Sequence, residues 1–311
     1  MKPMLNFNQR TMMRRNLFYV TLASIGVLTS CTNDDTTAPS LPDNGTRIVK
    51  TSITKYEGIG QNIEAENNIT DIQACIFEDE KMTKIYNNLI PSKSSFDIQI
   101  DKHAGTLYVL ANTQEQINLE ELKSQEITEE EWLKKCMTMK DNAPVQFYTG
   151  SLSLDDMGSS QTVLPVNLKR GYARFDLNLR TAGVASVNSI TLKNAAQSGT
   201  LFPSATQIAT KEVQVKDMTV SFDSPLTTDT PAVLYAYEQV QGNLEISVDV
   251  TIDGKPHTLT KAISGDIKRN TIYTITVRKD VIDVTIEVSL DEWEEGNDTE
   301  LVPQARRISL T

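Results

Sequence analysis

Apolar and polar residues alternate with a period of two along much of the second half of the chain. The clearest example runs from Leu244 to Ile252, where every second residue is apolar, and resumes at Leu259 after Asp253-Gly254. Successive side chains of a β-strand point to opposite faces, so this pattern predicts strands with one buried face. Asp-Gly readily adopts the positive φ angles of a two-residue type I′ turn, and therefore predicts a β-hairpin.

Similar segments recur through the body of the chain, with turn signals between them. They are 47–56, 70–79, 95–100, 106–113, 166–179, 231–239, 270–277 and 281–290. Short strands at intervals of about 8–12 residues predict an all-β fold of β-sandwiches. One short helix is predicted at 129–139 in the N-terminal half, because Thr128 and Glu131 match a capping box and Trp132 begins a helical apolar spacing.

The N-terminus has a different composition. Its first sixteen residues contain no acidic residue and four basic ones, Lys2, Arg10, Arg14 and Arg15. The mostly apolar run Leu17–Leu28 is long enough for the core of a signal peptide and too short to span a bilayer. Leu28-Thr29-Ser30-Cys31 then resembles the lipobox of bacterial lipoproteins, which implies removal of a leader at 1–30 and lipidation of Cys31. The alternative is a buried helix that ends in a chance cysteine.

Residues 31–46 are expected to form a flexible tether, because Leu41 is their only large apolar residue. Asp34 and Asp35 resemble the acidic surface-export signal of Bacteroidota lipoproteins, although a merely solvated tether explains them equally well. The whole chain has a net charge of −11, and the leader carries four of the positive charges, so the remainder has −15. This charge argues against nucleic acid and anionic membrane surfaces as partners.

No pattern in the sequence predicts catalysis, a metal site or a cofactor. His103 and His257 are the two histidines, and neither has a second histidine or cysteine at metal-ligand spacing. The acidic clusters at 129–131 and 291–295 fit a helix start and a solvated strand end. Cys75 and Cys136 could form a disulfide in an oxidising compartment or remain ordinary thiols. An enzyme is therefore disfavoured.

Several of these segments occur in an order that is typical of one known family. They are 105–112, 168–177, 189–194, 201–203, 234–238, 268–277 and 293–296, and they follow a lipobox-like leader. The set resembles the fimbrillin family of Bacteroidota, which comprises type V pilus subunits and related surface lipoproteins, and it covers nearly the whole chain after the leader.

The resemblance implies two tandem transthyretin-like β-sandwich domains, which we expect at 47–162 and 163–296, with the helix in the first. It also implies export as a lipoprotein of the outer membrane surface and assembly with other fimbrillin subunits by β-strand exchange into an adhesive pilus. In that scheme a protease cuts after an arginine or lysine beyond the tether. The cut frees a groove, which the terminal strand of the next subunit fills. Residues 297–311 are either a donor strand or a polar tail.

Two residues are candidates for such a cut. Cleavage after Arg47 would remove only the tether, whereas cleavage after Lys55 would also release the strand predicted at 47–55. If neither is cut, the protein stays anchored through Cys31. Two other functions remain open: a monomeric surface lipoprotein that binds glycan, which requires an exposed aromatic platform, and an enzyme, which requires a pocket around His103, His257 or an acidic pair.

Overall fold

The computed structural model of the chain describes residues 45–87, 89, 96–158, 161–203, 214–240, 243–279 and 284–290, and for 279 and 284–290 only the backbone. The leader, Cys31 and the segment 297–311 lie outside these residues. The predicted all-β fold is confirmed. None of the described helices is long and apolar enough to cross a membrane.

The strands are numbered in chain order. The first eight are β1 (Arg47–Ile53), β2 (Ile72–Glu78), β3 (Lys81–Tyr86), β4 (Asp97–Ile100), β5 (Thr106–Ala111), β6 (Cys136–Thr138), β7 (Tyr148–Ser153) and β8 (Val163–Arg170). The others are β9 (Tyr172–Thr181), β10 (Ala185–Ala196), β11 (Ser198–Thr200), β12 (Val215–Leu226), β13 (Thr230–Tyr237), β14 (Glu245–Ile252), β15 (Lys255–Ala262), β16 (Ile272–Lys279) and β17 (Val284–Leu290). The helices are α1 (Leu119–Ser124) and α2 (Glu129–Leu133).

The first half is built on one sheet with the strand order β3-β2-β5-β7-β8-β1-β4. The sheet curls, because side chains near its two ends, such as Ile76 of β2 and Ile98 of β4, share one buried core. Tyr86 of β3 also donates a hydrogen bond of 2.9 Å to Asp101, just after β4. Strand β8 starts where the second domain is predicted to begin, yet it pairs with β7 and β1 of this sheet.

The second half is a sandwich of two four-stranded sheets. Their strand orders are β12-β10-β14-β15 and β13-β9-β16-β17. Inward-facing residues of both sheets, among them Phe175, Ile190, Val248 and Ile275, form one buried core. The predicted hairpin is confirmed: β14 pairs with β15 across Asp253-Gly254, whose φ angles are 48° and 76°. The burial of every second residue agrees with the alternation of apolar and polar residues in the sequence, which predicts strands with one buried face.

The predicted helix starts where expected but is shorter. Thr128 and Glu131 form the capping box at the start of α2, which ends at Leu133 rather than at residue 139. Cys136–Thr138 instead forms β6, which pairs with β11 in the second half. The helical spacing after Trp132 was therefore misleading, because a pairing partner about 60 residues away determines the backbone there. Helix α1 was not predicted; Asn118 caps its start.

Candidate functional site

Strand β1 is enclosed on both sides. It runs parallel to β8 and antiparallel to β4, so that Val49 lies opposite both Leu164 and Ile98. Its inward side chains are buried, and the Thr51 hydroxyl donates a hydrogen bond of 2.9 Å to the Phe96 carbonyl. Among the described strands β4 pairs only with β1. Loss of β1 would therefore leave an apolar groove with unpaired backbone groups between β8 and β4.

The two candidate cleavage residues differ in how accessible their side chains are. Arg47 begins β1 and is only 2% exposed. Lys55 lies two residues after β1, and its side chain is exposed. Its carbonyl accepts a hydrogen bond of 2.8 Å from Asn270 Nδ2, and the preceding Thr54 amide donates one to Leu168. Cys31 lies outside the described residues. Of the two candidate cleavage residues, Lys55 is the one whose side chain is accessible.

The segment between β1 and β2, residues 54–71, crosses onto the second half, and we call it the strap. The Glu57 amide donates to the Asn270 carbonyl, and the Ile272 amide donates to the Glu57 carbonyl, both at 2.8 Å. At Gly60 the strap approaches so closely that a Cβ atom would lie 2.5 Å from Arg174 Nη2. Only glycine fits at this contact without displacement of its neighbours. The strap is thus bound to residues 270–272, at the start of β16.

A buried ion cluster fixes the far end of the strap. The Arg174 guanidinium, which is fully buried, binds Asp176 with two hydrogen bonds of 2.8 and 2.9 Å and Glu66 with one of 2.8 Å. Glu66 belongs to the strap and also accepts hydrogen bonds from the hydroxyls of Tyr56 and Tyr235. Because each charge has a partner, the cost of burying the cluster is offset.

The phenols of this cluster are held in their protonated form. Burial, and after it the adjacent Glu66 carboxylate, raises the pKa of both Tyr56 and Tyr235 well above the usual value. Desolvation disfavours a charged phenolate, and a nearby carboxylate repels it. Both side chains therefore act as hydrogen-bond donors to Glu66 at neutral pH.

Arg170, the last residue of β8, holds the strap at two points. Its Nη1 donates to the Thr54 carbonyl at 2.8 Å, and its Nη2 donates to Asn67 Oδ1 at 2.6 Å. The guanidinium also lies over the Tyr56 ring, 4.0 Å from the ring centroid. Planar guanidinium groups stack well on aromatic faces. The strand that flanks β1 thus also carries the residue that binds the strap.

The two halves meet through a second set of contacts away from the strap. Phe202, just after β11, packs with its ring centroid 4.7 Å from that of Tyr108 and 5.8 Å from that of Trp132. Within the second half, Arg269 holds the chain beside Phe202, because it donates hydrogen bonds of 2.9–3.0 Å to the carbonyls of Thr200 and Leu201 and pairs with a carboxylate. The sequence analysis used 201–203 only for the family resemblance and did not predict this role, although two large apolar residues beside a proline were a signal.

The residues considered for catalysis or metal binding are far apart or buried in the described parts of the chain. His103 follows β4, whereas His257 is exposed on β15 in the other half. No group of three or more histidine, cysteine, aspartate or glutamate side chains in the described parts of the chain could hold a metal ion. Cys75 and Cys136 are both free thiols, the first fully buried. Burial raises the pKa of the Cys75 thiol, which therefore remains protonated.

One open depression of about 450 Å³ lies beside the end of β5. Its lining combines polar side chains with Met137, Ala143, Pro144 and Val145, and it contains no aromatic residue. Two of its amides are already used within the chain, since Asn112 donates to the Asn68 and Gln146 carbonyls and Gln116 accepts from the Thr138 amide. The lining thus lacks the aromatic platform that the glycan-binding alternative requires.

Comparison with known proteins gives structural relatives only. No family model and no curated protein matches the sequence. The tip fimbrial protein Mfa3 of Porphyromonas gingivalis, solved with a C-terminal truncation, is 12% identical with a TM-score of 0.58, and the match covers 80% of this chain and all of that one. A fimbrial assembly protein from Parabacteroides distasonis is 13% identical with a TM-score of 0.52, over 80% of this chain and 100% of that one.

The fimbrilin FimA of Porphyromonas gingivalis W83 is also similar. It is 12% identical with a TM-score of 0.50, and the match covers 80% of this chain and 99% of FimA. Each of these matches spans nearly the full length of the relative and 80% of this chain. The matches therefore concern both halves of the described fold. The chain thus has the fold of Bacteroidota fimbrial proteins, and the resemblance to the fimbrillin family is confirmed at the level of the fold.

Proposed function

We propose that the protein is a subunit or anchor of a cell-surface fimbria that supports adhesion. It is exported as a lipoprotein, held at the outer membrane by acyl chains on Cys31, and joined to other fimbrillin subunits by β-strand exchange. The observation that carries this proposal is the position of β1, a strand near the start of the folded body that lies between β8 and β4. Residues 31–46 serve as the tether between the lipid and this strand.

Strand exchange at this position has a clear physical basis. Without β1, the backbone groups of β8 and β4 that face it would be unpaired, and the apolar residues behind Val49 would be exposed to water. A donated strand supplies both the missing hydrogen bonds and the missing apolar side chains. The function thus resides in backbone pairing and not in side-chain chemistry, which agrees with a non-enzymatic role.

Exposure of the Lys55 side chain supports cleavage after this residue, whereas burial of Arg47 argues against cleavage there in the folded chain. Cleavage after Lys55 would leave β1 bound by non-covalent contacts alone. The hydrogen bonds of Thr54 and Lys55 must open before a protease can bind this segment, so we expect cleavage to be slow. Without cleavage, the lipid on Cys31 keeps the protein at the membrane as an anchor subunit.

Limited proteolysis of the purified chain with a trypsin-like protease tests this proposal. We expect the wild-type protein to be cut after Lys55 and then to form oligomers on size-exclusion chromatography, with Tyr56 as the new terminus. Lys55→Ala should abolish both, whereas Lys50→Ala, which changes an exposed lysine within β1, should behave as wild type. Oligomers that form equally well in Lys55→Ala would refute cleavage at this residue.

The state of the N-terminus on the native surface tests the lipid anchor. We expect mass spectrometry of the protein from outer membranes to find an acylated Cys31 on the anchored form. Cys31→Ser should release the protein from the membrane fraction, because each buried CH₂ of an acyl chain contributes about 0.8 kcal/mol to membrane binding. Retention of Cys31→Ser in that fraction would show that another contact holds it.

A further inference from the structure

Arg47 is a buried cation with few partners. Its side chain points to the same face of β1 as Val49 and Thr51, and it is 2% exposed. Nη2 donates one long hydrogen bond of 3.3 Å to the Gly158 carbonyl. Within the described part of the chain, Nε and Nη1 are buried without a hydrogen-bond partner. The guanidinium therefore uses little of its capacity to donate hydrogen bonds.

Three other arginines are buried to a similar degree and are much better satisfied. Arg170 and Arg174 each make three side-chain hydrogen bonds, and Arg269 makes four. Arg174 and Arg269 also contact carboxylates. Burying a charge that lacks such partners is costly, because lost hydration is not replaced. Arg170 has one buried nitrogen without a partner, Nε, whereas Arg47 has two and makes only one long hydrogen bond. Arg47 is thus the least satisfied of these four arginines, and it lies in the strand proposed for exchange.

We propose that Arg47 makes β1 the replaceable strand of its sheet. The groove between β8 and β4 then selects an incoming strand, from another copy or a related subunit, that carries an uncharged side chain where Arg47 lies. This inference rests on the proposed function. The incoming strand makes the same backbone hydrogen bonds as β1 and avoids the buried charge. Exchange is therefore favourable without an external source of energy, as expected when two ligands compete for one site and only one carries an unpaired charge.

The charge matters only on the inward face of β1. Lys50 lies on the outward face of the same strand, where its ammonium is exposed and 3.3 Å from an Asp97 carboxylate oxygen. A cation at that place keeps most of its hydration, and such surface pairs contribute little to stability. Lys50 is therefore a matched control for Arg47: the same strand, the same charge and the opposite face.

Thermal unfolding of the full-length chain tests the first part of the inference. We expect Arg47→Met, which keeps a long apolar stem and removes the charge, to raise the Tm by about 5 °C or more. Lys50→Met should change the Tm by less than about 2 °C. An unchanged or lower Tm in Arg47→Met would overturn the inference, because it would mean that the guanidinium is already satisfied in solution.

Peptide competition tests the second part. Two fluorescein-labelled peptides of residues 46–55, one native and one with Arg47→Met, are incubated with protein cut after Lys55, in which only non-covalent contacts hold β1, and are separated by size exclusion. We expect the substituted peptide to be retained at least about tenfold more than the native one, the ratio for a difference of roughly 1.4 kcal/mol. Equal retention, or no retention of either peptide, would overturn the selective groove. Oligomer formation after proteolysis tests strand exchange separately, so failure of that proposed function is distinguishable from failure of this one.

Discussion

Glu66 is the residue through which the strap is joined to the second half. It comes from a four-residue 3₁₀ helix, Glu64–Asn67, and yet it is 97% buried, with Arg174 and two tyrosine hydroxyls around its carboxylate. Such an interaction depends on complete pairing: when one partner of a buried ion pair is removed, the other remains buried without compensation. The contribution of Glu66 should therefore far exceed that of a surface carboxylate.

Glu66→Gln should accordingly destabilise the protein. We expect the free energy of unfolding to fall by about 2–4 kcal/mol, less than a full loss because Asp176 still pairs with Arg174. Urea unfolding followed by tryptophan fluorescence measures this change. Glu64→Gln, on the exposed side of the same 3₁₀ helix, is the control and should lie within about 0.5 kcal/mol of wild type. Equal effects of the two substitutions would mean that the buried cluster contributes nothing specific.

At the scale of the elements, the strap depends on two protonated tyrosines. The folded chain raises the pKa of Tyr56 by burial and then by Glu66, and Tyr235 is affected in the same way. A phenol with a raised pKa in the folded state contributes stability that is complete below its unfolded pKa. That stability is lost as the pH rises beyond it toward the folded pKa. For tyrosine the loss begins near pH 10.

We therefore expect the midpoint of urea unfolding to be insensitive to the ionisation of these phenols up to about pH 9 and to fall above pH 10. Tyr56→Phe keeps the ring under Arg170 and removes the ionisable group. It should lower the midpoint at pH 8, because one hydrogen bond to Glu66 is lost, and should make the decline above pH 10 shallower. A decline as steep as that of the wild type would show that the phenol of Tyr56 has no part in it.

Elements with local causes could be predicted from the sequence, whereas elements with distant partners could not. The β14–β15 hairpin and the start of α2 were predicted correctly, because Asp253-Gly254 and the Thr128 capping box act over a few residues. The end of α2 was not, since β6 is set by pairing with β11. The parallel pairing of β1 with β8 was missed for the same reason: alternation identifies a strand but not its neighbours.

The same distinction applies to the candidate site. The strand that the sequence predicts at 47–56 is found at 47–53, and the candidate cleavage residue Lys55 followed from the family resemblance. The burial of Arg47, the strap and its ion cluster did not, because they arise from contacts between residues more than 100 positions apart. The sequence marks Glu66 only as one acidic residue among several. Its role depends on which side of a short turn faces the second half.

At the scale of the whole molecule, the described residues belong to one compact unit in which the two halves share a core. The shared cluster takes Phe77, Tyr108 and Trp132 from the first half and Leu201 and Phe202 from the second. The strap, the β6–β11 pairing and this cluster thus cross between the halves at separate places. In the proposed fimbrial role, these contacts would carry force applied to one half into the other.

Phe202 is the side chain with which to test that coupling. It is 4% exposed and contacts the rings of Tyr108 and Trp132, so Phe202→Ala should cost about 3–5 kcal/mol at the junction and leave each half's own core intact. We expect calorimetry to show a single transition for the wild type and two separated transitions for Phe202→Ala. Phe175→Ala removes an equally buried ring from the core of the second half, away from the junction, and should lower one transition without splitting it. A single transition in Phe202→Ala, shifted as far as in Phe175→Ala, would mean that the strap and the β6–β11 pairing suffice to couple the halves, and that Phe202 contributes only packing.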